Sequence, residues 1–416
     1  MAEAATNGQG RGATRRGFLA AGVLTMALAA CAAPGTRERP DRTPPPTAQK
    51  PTTPTADQRH RVALLVPTTG KNAALGQSIA NAANLALLDS GNQQISLTVY
   101  NTATGAAAAA QRAVAEGNRL FLGPLLATDV TAVKPVARGA QIPVLAFSND
   151  QSLGGGGTWV LGYQPAQAIT RVVGYAKSRG VDRLGAMIPS GTYGQRVSSA
   201  LLDAARDNDS RVTTMVTFNR DPASLGAAIR KLGGDAPAPS AALRKDGTVA
   251  RTTAHTAAPP FEALLIADSG RTVVASAPLL ARAGLGNVRL IGPELWSLES
   301  GLSQVSRLHG AWFAAVPDDN FRQLVGHYRQ RFGGAPYRLA SLGYDSVLLI
   351  NRIGGRWQMG KPFPVSVLTD RGGFSGIDGA FRFLPNGEVQ RAMEVQQIGP
   401  GGFTTVSPAP RNFGQD

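Results

Sequence analysis

The stretch 61–69, RVALLVPTT, constrains this chain more than any other. Its run of Val62, Ala63, Leu64, Leu65 and Val66 is long enough for a strand buried on both faces. Pro67 and Gly70 then end it. From Leu75 the apolar residues Leu75, Ile79, Ala82, Ala83 and Ala86 recur at three- and four-residue spacing, the period of a helix. A buried strand, a polar loop and a long helix are the opening half of a βαβ unit. In open sheets built from such units, ligands sit at the carboxyl ends of the strands. Loop 67–76, with Thr68 and Thr69, therefore stands where a ligand would be met.

The rhythm continues along the chain. Strands are predicted at 95–100, 119–122, 142–147 and 158–163, and helices at 105–116 and 131–138. It then starts afresh. Helices 164–179, 195–207, 224–232 and 272–283 alternate with strands 183–188, 211–218, 261–267 and 289–292. The third of these strands ends at Asp268, and the fourth runs out before Pro293-Glu294. The tail adds a strand at 311–315 and helices at 320–332 and 340–353. It closes with strands 379–383 and 389–398 joined through Leu384-Pro385-Asn386-Gly387, Asn-Gly being a strong hairpin signal. Two successive α/β halves predict two lobes, each a mostly parallel sheet flanked by helices. Residues 233–260 are rich in Ala, Pro and Thr with little periodicity. They are expected to form a flexible insertion, not a third domain.

The chain has 416 residues and a net charge of +15. Its basic residues are scattered (Arg171, Arg196, Arg282, Arg331), as on a solvated surface, without the basic–aromatic interleaving of a nucleic-acid binder. Gly154 to Gly157 precede a strand rather than a helix, so they do not read as a phosphate loop. The single cysteine, Cys31, can form no internal disulfide and no multi-cysteine metal site. Of the four histidines, His60 and His255 fall in segments expected to be flexible, His309 ends a loop, and His327 lies mid-helix among arginines. Ser375 lacks the pattern of a nucleophile elbow. Neither catalysis nor a cofactor is expected.

The first sixty residues read as export and tether. Thr14-Arg15-Arg16-Gly17-Phe18-Leu19 resembles a twin-arginine export motif. The apolar stretch 17–30 is shorter than the roughly 20 residues a membrane span needs. Leu28-Ala29-Ala30-Cys31 resembles a lipobox, which implies cleavage before Cys31 and lipidation of its thiol. In a cell with two membranes, Ala32 after the cysteine resembles lipoproteins sorted to the outer one. Residues 31–60 hold seven prolines among Thr and charges, an extended disordered tether.

Taken in order, several stretches carry a family resemblance: PTTGKNAALGQSIANAANLAL, FLGPLLATDVTAVKP, GAQIPVLAFSN, the Tyr193-Gly194 pair, LIGPELW, ASLGYDSVLLI and GIDGAFRFLPNGEVQ. The chain resembles the type I periplasmic binding proteins of the leucine-binding kind. That implies two lobes sharing three crossovers: 61–163 with 294–368, and 164–293 with 369–408, followed by a tail at 409–416. Within the family it looks most similar to the penicillin-binding protein activators. That implies a non-enzymatic, lipid-anchored envelope protein whose partner is a peptidoglycan synthase. The alternative it implies is a substrate-binding protein that delivers an amino acid or similar small solute to an ABC transporter.

In the receptors the resemblance implies a cleft where hydroxyls and a helix N-terminus take the ligand carboxylate. By position, Thr128 and Ser148 match those hydroxyls, Tyr193 the aromatic that covers the ligand, and Glu294 the acid that meets its amino group. Leu125, Leu126 and Ala127 stand where the receptors are rich in Ser. Asp150 stands where a Thr is usual and would repel a carboxylate. Thr128 is equally readable as a helix cap, and Tyr193 and Glu294 as lobe packing.

Overall fold

The computed structural model describes residues 59–233, 241–243, 249–251 and 259–414. The export segment, Cys31, the tether up to residue 58, His255 and most of 234–258 lie outside them. The first half runs β1 (His60–Val66), α1 (Ala73–Ser90), β2 (Ile95–Asn101), α2 (Ala106–Ala115), β3 (Leu120–Leu122), α3 (Ala127–Gly139), β4 (Val144–Ala146) and β5 (Thr158–Val160). The second continues with α4 (Pro165–Ser178), β6 (Arg183–Pro189), α5 (Thr192–Asp207), β7 (Arg211–Phe218), α6 (Pro222–Leu232), β8 (Ala241–Leu243), β9 (Val249–Arg251), β10 (Ala263–Ile266), α7 (Gly270–Arg282) and β11 (Arg289–Gly292). The remainder is β12 (Trp312–Ala315), α8 (Asp319–Phe332), α9 (Ala340–Gly354), β13 (Phe374–Gly376), β14 (Gly379–Phe383), β15 (Val389–Arg391), β16 (Glu394–Gly399) and β17 (Gly402–Ser407).

Two sheets organise the chain, as the α/β rhythm requires. The first is parallel, in the order β2-β1-β3-β4-β5. Alternation along β1 sends Val62, Leu64 and Val66 to one face, against Ile79 and Ala83 of α1 and Leu342 and Ile350 of α9. Ala63 and Leu65 go to the other, against Ala106 and Ala110 of α2 and Val130 and Val133 of α3. The second sheet runs β17-β16-β12-β11-β10-β6-β7. It is parallel from β7 to β12, and β16 and β17 are antiparallel. Helices α4 and α5 cover one face through Ile169, Val172, Val197 and Leu201. Helices α6 and α7 cover the other through Ile229, Val273 and Leu280. Both sheets are thus sealed by helices, which is why their central strands are apolar on both faces.

Several readings of the sequence are corrected here. His60, expected in the tether, opens β1 and is buried. Its ring stacks on Trp357 at 4.0 Å between centroids, and burial lowers its pKa. The tether-like composition upstream does not reveal a stacking partner so far along the chain. Within 233–260, expected to be a flexible insertion and mostly outside the described residues, β8 and β9 pair antiparallel, two strands the sequence reading did not include. Strands of three residues are too short to show a period. The predicted strand 389–398 breaks after Arg391, because its two halves serve different sheets. Strands β13 and β17 were not foreseen. The glycine turn 154–157 packs against the hairpin turn, with Val160 N–H donating to Gly387 O at 2.8 Å.

The packing also bears on the lobe division read from the sequence. Strand β12, placed there with the first lobe, pairs with β11 and β16 in the second sheet. Strands β13 to β15, placed with the second lobe, put Phe374, Phe381, Phe383 and Val389 in the same apolar cluster as β1. We therefore propose crossovers at about 161–165, 316–319 and 391–394.

Side chains beside these crossovers meet in one buried polar cluster. Tyr163 Oη donates to Asp378 Oδ2 at 2.5 Å and lies 3.0 Å from Ser341 Oγ. Arg338 Nη1 donates to the other Asp378 oxygen at 2.5 Å. Arg391 donates to Leu161 O at 2.8 Å and lies over the rings of Tyr163 and Phe381. Asp345 Oδ1 accepts from Ile377 N at 2.6 Å. Burial pushes the Asp378 carboxyl up, but Arg338 and Arg391 outweigh it and hold the carboxyl below its ordinary range. Burial and then the Asp378 charge push Asp345 the other way. The two carboxyls are thus pushed in opposite directions, Asp378 toward the ionised form and Asp345 toward the protonated one.

Candidate functional site

The carboxyl ends of the two sheets supply the candidate site. On the first sheet, Thr68 and Thr69 follow β1 and are tied to Asn101 at the end of β2. Thr68 N–H donates to Asn101 Oδ1 at 2.9 Å, and Asn101 Nδ2 donates to Thr69 Oγ1 at 2.9 Å. The start of α1 is drawn close to the end of β1. A Cβ on Gly76 would lie 1.8 Å from Pro67 O, so only glycine fits there. Ser148, after β4, is buried, and its Oγ accepts from Asp150 N at 3.1 Å. Thr128 is the second residue of α3 and is exposed. The cap position belongs to Leu126, which makes no side-chain cap bond, so Thr128 is not the helix cap.

On the second sheet the same device recurs. A Cβ on Gly194 would lie 1.7 Å from Pro189 O, so the first turn of α5 sits against the end of β6. That turn carries Tyr193 and Arg196. Asp268 follows β10. Its Oδ2 pairs with Arg220 Nε at 2.7 Å, its Oδ1 accepts from Ser269 N, and its main-chain oxygen accepts from Trp296 Nε1 at 3.1 Å. Glu294 follows β11. Its Oε2 and the Tyr193 hydroxyl are both shielded from solvent without a hydrogen-bond partner. Burial, then the charges of Glu294 and Asp268, push the Tyr193 hydroxyl well up. Burial pushes the Glu294 carboxyl up to about 7 against the pull of its own backbone N–H.

One ion pair joins the two groups. Arg196 Nη2 lies 2.6 Å from Asp150 Oδ2, so a helix on the second sheet grips a loop of the first. Burial raises the Asp150 carboxyl, but the Ser152 hydroxyl and Arg196 together hold it below its ordinary range. The unusual Asp150 noticed in the sequence thus carries a charge that the chain itself neutralises. Arg196 went unrecognised among the scattered arginines, although its place three residues after Tyr193 puts both in one helical turn. Arg220 and Trp296 were also missed as site residues. Among the described residues no group of three or more His, Asp or Glu is placed to hold a metal ion. No described helix is long and apolar enough to cross a membrane.

The Glu294 carboxyl makes stability depend on pH with a definite sign. Its folded pKa lies above its ordinary 4.5, so the folded chain binds the proton more tightly than the unfolded one. The associated stability is fully present below about 4.5 and is lost as pH rises to about 7. Asp345 acts in the same sense. Urea unfolding across this range should show stability falling with pH. Glu294→Gln should flatten its part of the curve, and an unchanged slope would mean that the carboxyl is solvated.

Comparison with known proteins follows the same architecture. A family model described as Periplasmic binding protein matches residues 60–402. A branched-chain amino acid ABC transporter periplasmic ligand-binding protein from Burkholderia xenovorans superposes with a TM-score of 0.64 at 14% identity, covering 85% of this chain and 96% of that one. The C-domain of LpoA from Haemophilus influenzae, described as a regulator of PBP1A, superposes with a TM-score of 0.59 at 19% identity, covering 83% and 99%. An uncharacterized protein of Rickettsia prowazekii, RP748, is 24% identical over 177 residues, which is 42% of this chain and 47% of that protein. The chain thus matches less than half the length of that relative. At these identities the structural likenesses establish the fold. With the family model spanning both sheets, from the first strand to the start of the last, the chain belongs to the periplasmic binding protein family.

Proposed function

We propose that this protein is an exported, lipid-anchored and non-enzymatic regulator that activates a peptidoglycan synthase of the penicillin-binding kind. The observation that carries this reading is the Asp150–Arg196 pair at 2.6 Å. A transport receptor closes around a solute and reopens, and its cleft offers polar groups free to take the solute's charges. Here the loop after β4 spends its charge on the chain's own arginine. The first turn of α3 presents Leu126 and Ala127 where hydroxyls would take a carboxylate. A cleft bridged by the chain's own charged side chains suits a protein that works through its outer surface. That LpoA is described as regulating a penicillin-binding protein is consistent with this reading. The anchor would be Cys31, at the head of the Pro-rich tether.

A second reading has its own observation. The unpartnered Tyr193 hydroxyl and Glu294 Oε2 suit a cationic group such as the ammonium of an amino acid. One experiment separates the two. The chain is incubated with membranes of its own cell labelled with fluorescent penicillin, then recovered by affinity. A labelled synthase is expected to co-purify, and its polymerisation rate to rise on adding the chain. If no labelled band appears and one class of amino acid raises the Tm by several degrees, the solute-receptor reading replaces it. A ligand at a hundred times its Kd adds about 2.7 kcal/mol.

A further inference from the structure

A groove of about 350 Å³ lies between α6 and α7, where the chain leaves β7. Its lining is apolar at the bottom, through Phe218, Leu225 and Leu279, and basic at the rim, through Arg220, Arg271 and Arg282. The carboxylates nearby are largely engaged. Asp221 Oδ1 caps α6 by accepting from Ser224 N at 2.8 Å. Asp268 is buried on the cleft side of Arg220. Glu299 reaches Arg271 only at 3.6 Å, and the Arg271 side chain is 91% exposed. Arg282 is exposed and has no carboxylate partner among the described residues. An apolar trough edged by guanidinium groups whose charge is only partly met by Asp268 and Glu299 has a definite complement.

We propose that this groove is the docking site for an acidic, amphipathic segment of a protein partner, whose apolar side chains enter between α6 and α7 and whose carboxylates meet Arg271 and Arg282. Helix-in-groove recognition of this kind uses apolar anchors for the floor and charges for register. The walls of two helices keep a flat lipid surface from reaching Phe218. Phe218, Leu225 and Leu279 give the groove an apolar floor that a small anion would leave unused. Arg220 is shared between this rim and Asp268 of the cleft at 2.7 Å, so an incoming carboxylate competes directly with a cleft residue. The proposal deepens the regulator reading above and rests on it for the partner being a protein.

Two measurements on the full chain test it. The first is fluorescence anisotropy with two labelled helical peptides of one leucine pattern, carrying Glu or Lys at every polar position. The Glu peptide is expected to bind, and its Kd to weaken at least tenfold in Arg271→Glu/Arg282→Glu while Arg271→Lys/Arg282→Lys retains it. The Lys peptide is expected not to bind. No binding of the Glu peptide, or equal binding to the charge-reversed variant, overturns the proposal. The second places a photocross-linking phenylalanine analogue at Ala275 in the groove, or at Arg329 on α8, in living cells. A cross-link from Ala275 to an acidic segment of another protein, lost on charge reversal, upholds it. A cross-link to a second copy of this chain overturns it. A penicillin-labelled adduct from Arg329 and none from Ala275 overturns the groove and leaves the synthase reading standing. An acidic partner at Ala275 that takes no penicillin label upholds the groove and overturns the synthase reading.

Discussion

Asp378→Asn is expected to lower the free energy of unfolding by about 3–5 kcal/mol, the usual cost of removing one partner of a buried ion pair. Asp378 is fully buried, and both its oxygens are engaged, one by Tyr163 and one by Arg338. The neutral amide leaves Arg338, whose side chain is only 14% exposed, without its nearest counter-charge. The second contact, with Asp318 at 3.6 Å, is longer and more exposed. The consequence reaches beyond Arg338. Asp345 is raised partly by the Asp378 charge, so removing that charge should let Asp345 ionise at lower pH and face Arg391. Two readouts follow: a lower urea midpoint with unchanged slope, and a shallower fall of stability with pH than in the parent. A loss under about 1 kcal/mol would mean that the cluster is solvated and that its charges are screened as at a surface. Because the cluster gathers side chains from beside all three proposed crossovers, its loss should loosen one sheet against the other.

Trp296→Ala should cost about as much, about 3–5 kcal/mol, through the cavity left by a large core aromatic. Trp296 is fully buried beneath the candidate site. It packs so closely on β11 that a Cβ on Gly292 would lie 2.1 Å from its Cε2, and it contacts Phe313 at 6.1 Å between centroids. Its indole N–H also satisfies the main-chain oxygen of Asp268. Trp296→Phe separates the two contributions. It keeps much of the volume and removes the donor, so about 1–3 kcal/mol should be lost, the cost of leaving a buried acceptor unpaired. Equilibrium unfolding of the three proteins under one condition checks this. Equal losses for Ala and Phe would assign the whole effect to the hydrogen bond.

How much of this was legible beforehand depends on the range of the interaction. Local periodicity carries information within a dozen residues, and there it served well. The apolar run of β1, the spacing of Ile79, Ala83 and Ala86 along α1, and the alternation of strands with helices through residue 292 all appear in the structure. The rule that ligands meet the carboxyl ends of such strands pointed to Thr68 and Thr69 without reference to contacts, Asp268 was read at the end of a strand, and Glu294 came from the family resemblance. The structure places Asp268 and Glu294 close to Tyr193, whose hydroxyl both of their charges raise.

What no local pattern contains is the partner. A strand signal says that 312–315 is extended and apolar, but not that β12 joins β11 and β16 rather than the first sheet. A hairpin signal predicts the turn at Asn386-Gly387, but not that its aromatics fill the core under β1. Charges behave likewise. Asp150 and Arg196 look unrelated in sequence, and their attraction exists only once two sheets bring them to 2.6 Å. His60 reads as tether until Trp357 arrives beside it. The chain by itself therefore determined which segments would be strands and helices, because backbone geometry imposes periods on side-chain burial. Tertiary structure alone decided which of them share a core and which charges cancel, because packing and Coulomb energies depend on distance in space and not on separation along the chain.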